Sequence, residues 1–280
     1  MDAPLTELTK ALRDTHPGQI LVVTGAGISL ASGIPTFRGS DAGAIWKKDV
    51  TELGTHRFFL QNPSGSWQWY LSRFAKVQGA RPNAGHLALA ALERWQVERG
   101  GEFLLVTQNI DTLHEQAGST RMVKVHGTSD RYRCDRYGCA NGPPRGSIPA
   151  KDVDLAPFLA RPSALSVPRC PKCGGFLRMH VLWFDEVYTG HDDYKFDTVV
   201  KSADRDARLV IFIGTSFSVG VTSLVLDGAR MRGVPVFNID PTPRVDEEEI
   251  CHVALPSEIA LVEVCSALGV TVPEAPAAAV

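Results

Sequence analysis

Four short runs of the chain are nearly continuous in apolar residues rather than alternating. They are Gln19–Thr24 (QILVVT), Phe103–Thr107 (FLLVT), Ala207–Gly214 (ARLVIFIG) and Val234–Asn238 (VPVFN). A strand covered on both faces of a parallel sheet loses the period-two pattern of a half-exposed one, so these runs predict buried parallel strands. Helical spacing of apolar residues fills the intervals, as in His86–Gln96 (HLALAALERWQ) and Ser223–Met231 (SLVLDGARM). Strands alternating with helices predict an α/β, Rossmann-like doubly wound sheet that binds its ligand beyond the carboxyl ends of the strands. Each run ends in small or polar residues, which suits a nucleotide. Residues 131–180 lack this pattern and contain four cysteines and a Gly/Pro-rich stretch, Asn141–Pro149. They read as a small module inserted into a discontinuous larger domain of residues 1–130 and 181–270, with a tail at 271–280 expected to fray.

Composition narrows the class. Of 280 residues, 44% are hydrophobic and the formal net charge is −2, which fits a globular chain without the basic excess of a nucleic-acid binder. No stretch approaches the ~20 apolar residues of a membrane span, and the first residues lack the apolar core of a signal peptide. A soluble cytoplasmic protein, with a monomer as the simplest state, is expected.

The first strand runs into Gly25-Ala26-Gly27-Ile28-Ser29. Glycines after a strand let a phosphate approach the backbone, and the following helix start offers free N–H groups. An ordinary strand-to-helix turn has the same appearance. The dinucleotide fingerprint of dehydrogenases wants another glycine where Leu30 stands, which weakens a hydride-transfer reading without weakening nucleotide binding. Next comes Gly33-Ile34-Pro35-Thr36-Phe37-Arg38-Gly39. Arg38 there suits paired hydrogen bonds to a phosphate, and Phe37 suits one face of a nicotinamide ring.

Cys134 and Cys139, then Cys170 and Cys173, form two pairs. Two knuckles with glycine after the last cysteine match a closed tetrahedral thiolate site for structural zinc. A redox role for Cys170 and Cys173 is the alternative. Cys251 and Cys265 read as packing residues.

The segments GAGISLASGIPTFRG (25–39), TQNIDTLHEQAG (107–118), VHG (125–127), the four cysteines, LRMHVLWFDE (177–186) and GTS (214–216) together resemble the sirtuin (Sir2) family, in order and along nearly the whole chain. The resemblance implies an enzyme that consumes NAD to remove acyl groups from protein lysine. Free lysine, nicotinamide and O-acyl-ADP-ribose would be the products. By that resemblance Gly25, Ala26, Gly27 and Ser29 line the pyrophosphate, and Ile34, Pro35, Phe37 and Arg38 belong to the cofactor loop. Gln108, Asn109, Ile110 and Asp111 surround the nicotinamide and its ribose, with Asn109 and Asp111 orienting the bond that breaks. Gly214, Thr215, Ser216 and Asn238 hold phosphate, ribose or adenosine. His126 is the general base, a task suited to imidazole because its ordinary pKa is near neutral. On the residues alone it could equally be a hydrogen-bonded turn histidine. Val181, Trp183 and Phe184 belong to the loop that pairs with an acylated-lysine peptide.

Tyr70 and Arg73 are three residues apart and share one helix face. Sirtuins that remove succinyl and related acidic groups carry a Tyr-x-x-Arg pair at this distance before a segment like Pro82-Asn83-Ala84-Gly85-His86, and the same pair here implies recognition of an acyl carboxylate. An unremarkable surface helix is the alternative. Gly54 replaces a bulky aromatic of deacetylases and suggests room for a longer acyl chain. Asp185 and Met179 stand where the family has glycine and proline, and Asp185 is expected beside the peptide channel. Two other functions fit the same motifs: NAD hydrolysis or ADP-ribosyl transfer without deacylation, and NAD sensing without catalysis.

Overall fold

The computed structural model describes residues 2–35, 50–243, 245 and 249–275. Phe37, Arg38 and the end of the expected tail lie outside the described residues. Nine strands form among the described residues: β1 (Gln19–Thr24), β2 (Glu102–Thr107), β3 (Met122–Lys124), β4 (Gly127–Cys134), β5 (Ile148–Pro149), β6 (Leu177–Val181), β7 (Ala207–Ile213), β8 (Val236–Ile239) and β9 (Ile250–Val253). The apolar runs predicted as strands are all strands. The fourth starts at Val236 rather than Val234, because Pro235 has no N–H for the ladder and offers only its carbonyl, to the Val210 amide.

Six strands make one parallel sheet in the order β3-β2-β1-β7-β8-β9. Side chains of β1 alternate between two buried layers. Ile20 and Val22 face a core built with the helices Ala3–Asp14, Ala84–Glu98 and Ser257–Leu268, whereas Leu21 and Val23 face the helix Gly220–Arg232. Burial on both sides explains the unbroken apolar sequence of β1. Strand order reverses between β1 and β7, so the connections leave their carboxyl ends in opposite directions and open a crevice there.

The second sheet is antiparallel, in the order β5-β4-β6. Its outer limits, Gly127 and Val181, put β4 across the expected module boundary at residue 131. The helix Pro63–Val77 packs on this sheet: Trp67, Tyr70 and Phe74 share a core with Tyr132, Leu177, Met179 and Trp183. The Trp67 indole N–H donates to the Leu177 carbonyl at 2.8 Å. Met179, where the family has proline, is 1% exposed and fills this core from β6. His126 stands between β3 of one sheet and β4 of the other.

Candidate active site

The crevice at the β1/β7 reversal is a cavity of about 810 Å³, within the range of small-molecule and cofactor sites. Its floor is formed by two turns in backbone contact. The Gly27 amide donates to the Gly214 carbonyl at 2.9 Å, and a methyl group on Gly27 would lie 2.5 Å from the Gly214 Cα. The glycines therefore do more than admit a ligand, since they let the ends of β1 and β7 touch. Gly25, Ala26, Gly27, Ser29, Ile34 and Pro35 line the cavity with Gly214, Thr215 and Ser216. The residues after Gly25 form a 3-10 turn, Ala26–Ser32.

Beyond β2 the loop Gln108–Asp111 enters the same cavity. The Asn109 amide group donates to the Gly25 carbonyl at 3.0 Å and to Ser29 Oγ at 3.3 Å. Ser29 in turn donates to Asp111 Oδ2 at 3.1 Å, and the other Asp111 oxygen accepts the Leu113 amide. Asn109, Ser29 and Asp111 are all buried, so this chain presets both polar side chains before any ligand arrives. Gln108 Nε2 donates to Thr215 Oγ1 across the crevice. Lys124 ties the loop to β4 by donating to the Asp111 carbonyl, Glu115 and Thr128 Oγ1.

His126 Nδ1 lies 2.9 Å from the Gln108 carbonyl. A carbonyl only accepts, so Nδ1 carries the proton and Nε2 keeps a lone pair. Burial lowers the imidazole pKa to about 4, against the pull of that carbonyl, so the ring is neutral at pH 7. A neutral imidazole facing the cavity is ready to take a proton.

The same cavity is lined by Tyr70 and Arg73, together with Val181, Trp183 and Phe184. Arg73 lies flat on Trp69, with Cζ 3.7 Å from the ring centroid, and donates to the Trp69 carbonyl. Burial pushes the Tyr70 phenol above the ordinary tyrosine range, against the pull of Arg178, so it stays a neutral donor. Gly54 does not line the cavity. A side chain there would meet the Val50 carbonyl at 2.7 Å and the Phe184 ring at 3.1 Å, so Gly54 shapes the wall by seating Phe184. Asn238 is fully buried beside His252, and the next two residues, Ile239 and Asp240, line the cavity.

Cys134, Cys139, Cys170 and Cys173 converge with all four sulfurs within 4.8 Å of one another. Cys134 Sγ is 3.4 Å from Cys173 Sγ, and Cys139 Sγ is 3.7 Å from Cys170 Sγ. Tetrahedral zinc with Zn–S bonds of ~2.3 Å sets sulfurs roughly 3.8 Å apart, so these residues fit that ion. His180, His191 and Asp193 also cluster. His191, however, already donates from Nε2 to the Gly146 carbonyl and accepts the Asp193 amide at Nδ1, while His180 meets the Asp193 carboxylate. These bonds latch residues 191–193 to the small sheet.

A model of the Sir2 family matches residues 25–221. The chain belongs to the Sir2 family. Among curated Sir2 relatives, the NAD-dependent protein deacylase of Thermus thermophilus is 36% identical over 85% of each chain. The mitochondrial NAD-dependent protein deacylase sirtuin-5 of Canis lupus familiaris is 34% identical, covering 86% of this chain and 81% of that one. Among solved structures, a Sir2 homologue mutant in complex with ADP-ribose superposes with a TM-score of 0.76 at 30% identity, over 98% of this chain and all of that one. A Sir2 homologue–NAD complex gives 0.74 at 30% identity, over 96% and 95%.

Against the Sir2 pattern, the departure at Asp185 resolves differently from the sequence expectation. Its carboxylate accepts the amides of His56 and Arg57 at 2.7 and 3.0 Å and so caps the helix His56–Gln61. The adjacent Glu186 accepts two hydrogen bonds from Arg178, at 2.7 and 2.8 Å, and the Trp183 amide at 3.0 Å. Burial would raise the Glu186 pKa, but Arg178 and Arg133 hold it down to about 2. Arg178 also stacks on Trp183, with Cζ 3.4 Å from the ring centroid. Sequence reasoning missed this buried ionic support and missed Tyr188, which lines the cavity beside His126. Among the described residues, no helix is long and apolar enough to cross a membrane.

Proposed function

We propose that this chain is an NAD-dependent protein-lysine deacylase that prefers acidic acyl groups of the succinyl and malonyl type. The reading rests on one observation. A single cavity is lined both by the glycine turn, Asn109, Asp111 and His126 and by Tyr70 and Arg73. When bound, NAD supplies the sugar carbon that receives the acyl oxygen, with nicotinamide as the leaving group.

The chain's own residues do the rest. Backbone N–H groups after Gly25 and the Gly214–Ser216 turn receive the pyrophosphate. Asn109 and Asp111, held by Ser29, orient the nicotinamide end without having to reorganise. His126 Nε2 accepts the proton of a ribose hydroxyl, and Nδ1–H on the Gln108 carbonyl keeps the ring in the required tautomer. Trp183 and Val181 flank the lysine stem, and the peptide main chain lies along residues 181–184 as an added strand, which tolerates varied sequences. Arg73 meets the distal carboxylate of the acyl chain with charge-assisted hydrogen bonds, and Tyr70 adds a neutral donor. Free lysine, nicotinamide and O-acyl-ADP-ribose are the proposed products. The test is incubation with NAD and matched acetyl- and succinyl-lysine peptides, following nicotinamide and peptide mass. Faster loss of succinyl supports the reading. Nicotinamide release without any change in peptide mass overturns it in favour of NAD hydrolysis.

A further inference from the structure

Tyr188 touches His126 at the nitrogen on which the proposed chemistry turns: its hydroxyl lies 3.3 Å from Nε2. The polarity of that contact follows from its surroundings. The ring packs against the core that contains Val221, at the start of the helix Gly220–Arg232, and its phenol carries one proton to give. His126 has its proton on Nδ1, facing the Gln108 carbonyl, so Nε2 can only accept. The phenol therefore donates to the lone pair.

The ring is well held. It stacks on Phe196 with centroids 4.6 Å apart and planes 9° apart, and lies 5.8 Å from the imidazole at 21°. A few residues on, the chain is pinned to the small sheet by His191 on Gly146, by Asp193 with His180, and by Arg133 Nη1 donating to the Tyr194 hydroxyl. Tyr188 thus reaches from a segment latched to one sheet to a helix packed on the other, with the imidazole between them.

We infer that Tyr188 is a positioning residue for His126: its phenol occupies the Nε2 lone pair in the free protein and yields it to the ribose hydroxyl when the dinucleotide enters. This rests on the proposed role of His126. The exchange makes and breaks no covalent bond and moves no proton between residues. It needs only a turn of the O–H about the Cζ–Oη bond, which leaves the ring on Phe196. A donor on Nε2 favours neutral imidazole over imidazolium, so Tyr188 makes His126 a weaker base until the cofactor replaces it. Besides Tyr188, burial and the Gln108 carbonyl bear on the ring's protonation.

Tyr188→Phe removes only the hydroxyl and keeps the stacked ring. In the free protein, followed by NMR, the His126 pKa should rise by about half a unit to one unit in this variant, the size expected for one lost hydrogen bond. The acid limb of kcat/KM, which reports the free enzyme, should shift upward by the same amount, while the acid limb of kcat, which reports the bound enzyme, stays in place. KM for NAD at neutral pH should fall about two- to five-fold, since no phenol has to be displaced. An unchanged His126 titration overturns the contact, and a kcat limb that moves as far as that of kcat/KM overturns the exchange. The NMR titration needs no turnover. A protein that binds no NAD but shows the shift supports the contact and defeats the proposed function instead.

Discussion

Asp185 closes on the first turn of the helix that starts at His56, accepting the His56 amide at 2.7 Å with one carboxylate oxygen and the Arg57 amide at 3.0 Å with the other. Both oxygens are engaged by the start of that helix. Asp185→Gly should therefore lower stability by about 1 kcal/mol, as loss of a helix cap does, and leave the preference among acyl groups unchanged. Thermal unfolding together with succinyl-to-acetyl rate ratios checks this. A changed ratio at unchanged stability would return the carboxylate to the substrate channel.

Arg73→Met should separate the acyl substrates. Losing a charged partner costs roughly 1.5–3 kcal/mol where the partner is a carboxylate and little where it is a methyl group. Desuccinylation should fall more than ten-fold while deacetylation holds within about two-fold, measured as kcat/KM. Equal losses on both would mean that Arg73 supports the wall through Trp69 alone.

His126→Ala should abolish deacylation with folding intact, because among the described residues no other imidazole lines the cavity. Circular dichroism and nicotinamide release on the same preparation decide it. Full turnover by the folded variant removes the base from the mechanism.

Stripping zinc should open the small sheet and not the large one. The sulfurs join β4 to the segment before β6, and Trp67 and Trp183 lie in the core above them. Chelation should change tryptophan emission and stop activity together, while helix content falls only in part. Activity that survives complete metal removal would rule out a structural ion.

Acid should destabilise the fold through histidines kept neutral. Burial lowers the His86 pKa to about 4 and holds His114, its ring neighbour at 4.8 Å, well below the usual imidazole range. The unfolded chain binds protons below about pH 6.5 that the folded chain refuses, so stability should fall from about pH 6.5 toward pH 4. His86 stands at the third helix position of a capping box with Asn83. Glutamine serves at that position, so His86→Gln should keep the cap and flatten this part of the pH dependence in urea unfolding. An identical slope would place the titration elsewhere.

The large sheet was legible because its strands are apolar on both faces and end in turn residues. The cysteine cluster was legible because thiolate spacing survives any fold. The small sheet was not: β4 (GTSDRYRC) carries Arg131 and Arg133, which read as surface, yet Arg133 is buried and faces Glu186 and Tyr194. Residues 108–111 and 126, which line one cavity, could be named from the sequence because their motifs are local. Tyr188 gave no signal because its partners lie in segments far apart in the chain. Asp185 was visible as a departure, but only the folded loop fixes which amides it meets. The burial of Asn238 beside His252 was not legible either, because it depends on side-chain alternation at the end of β8.

The helix bearing Tyr70 and Arg73 rests on the zinc-bearing sheet, whereas Asn109, Asp111 and the glycine turn belong to the parallel one. On the proposed reading each reactant is gripped by a different sheet, and the gap between amide oxygen and sugar is set by how the two sheets meet. A change that loosens the cysteine knuckles, though remote from any bond that breaks, would blur acyl selectivity and slow catalysis in the same stroke.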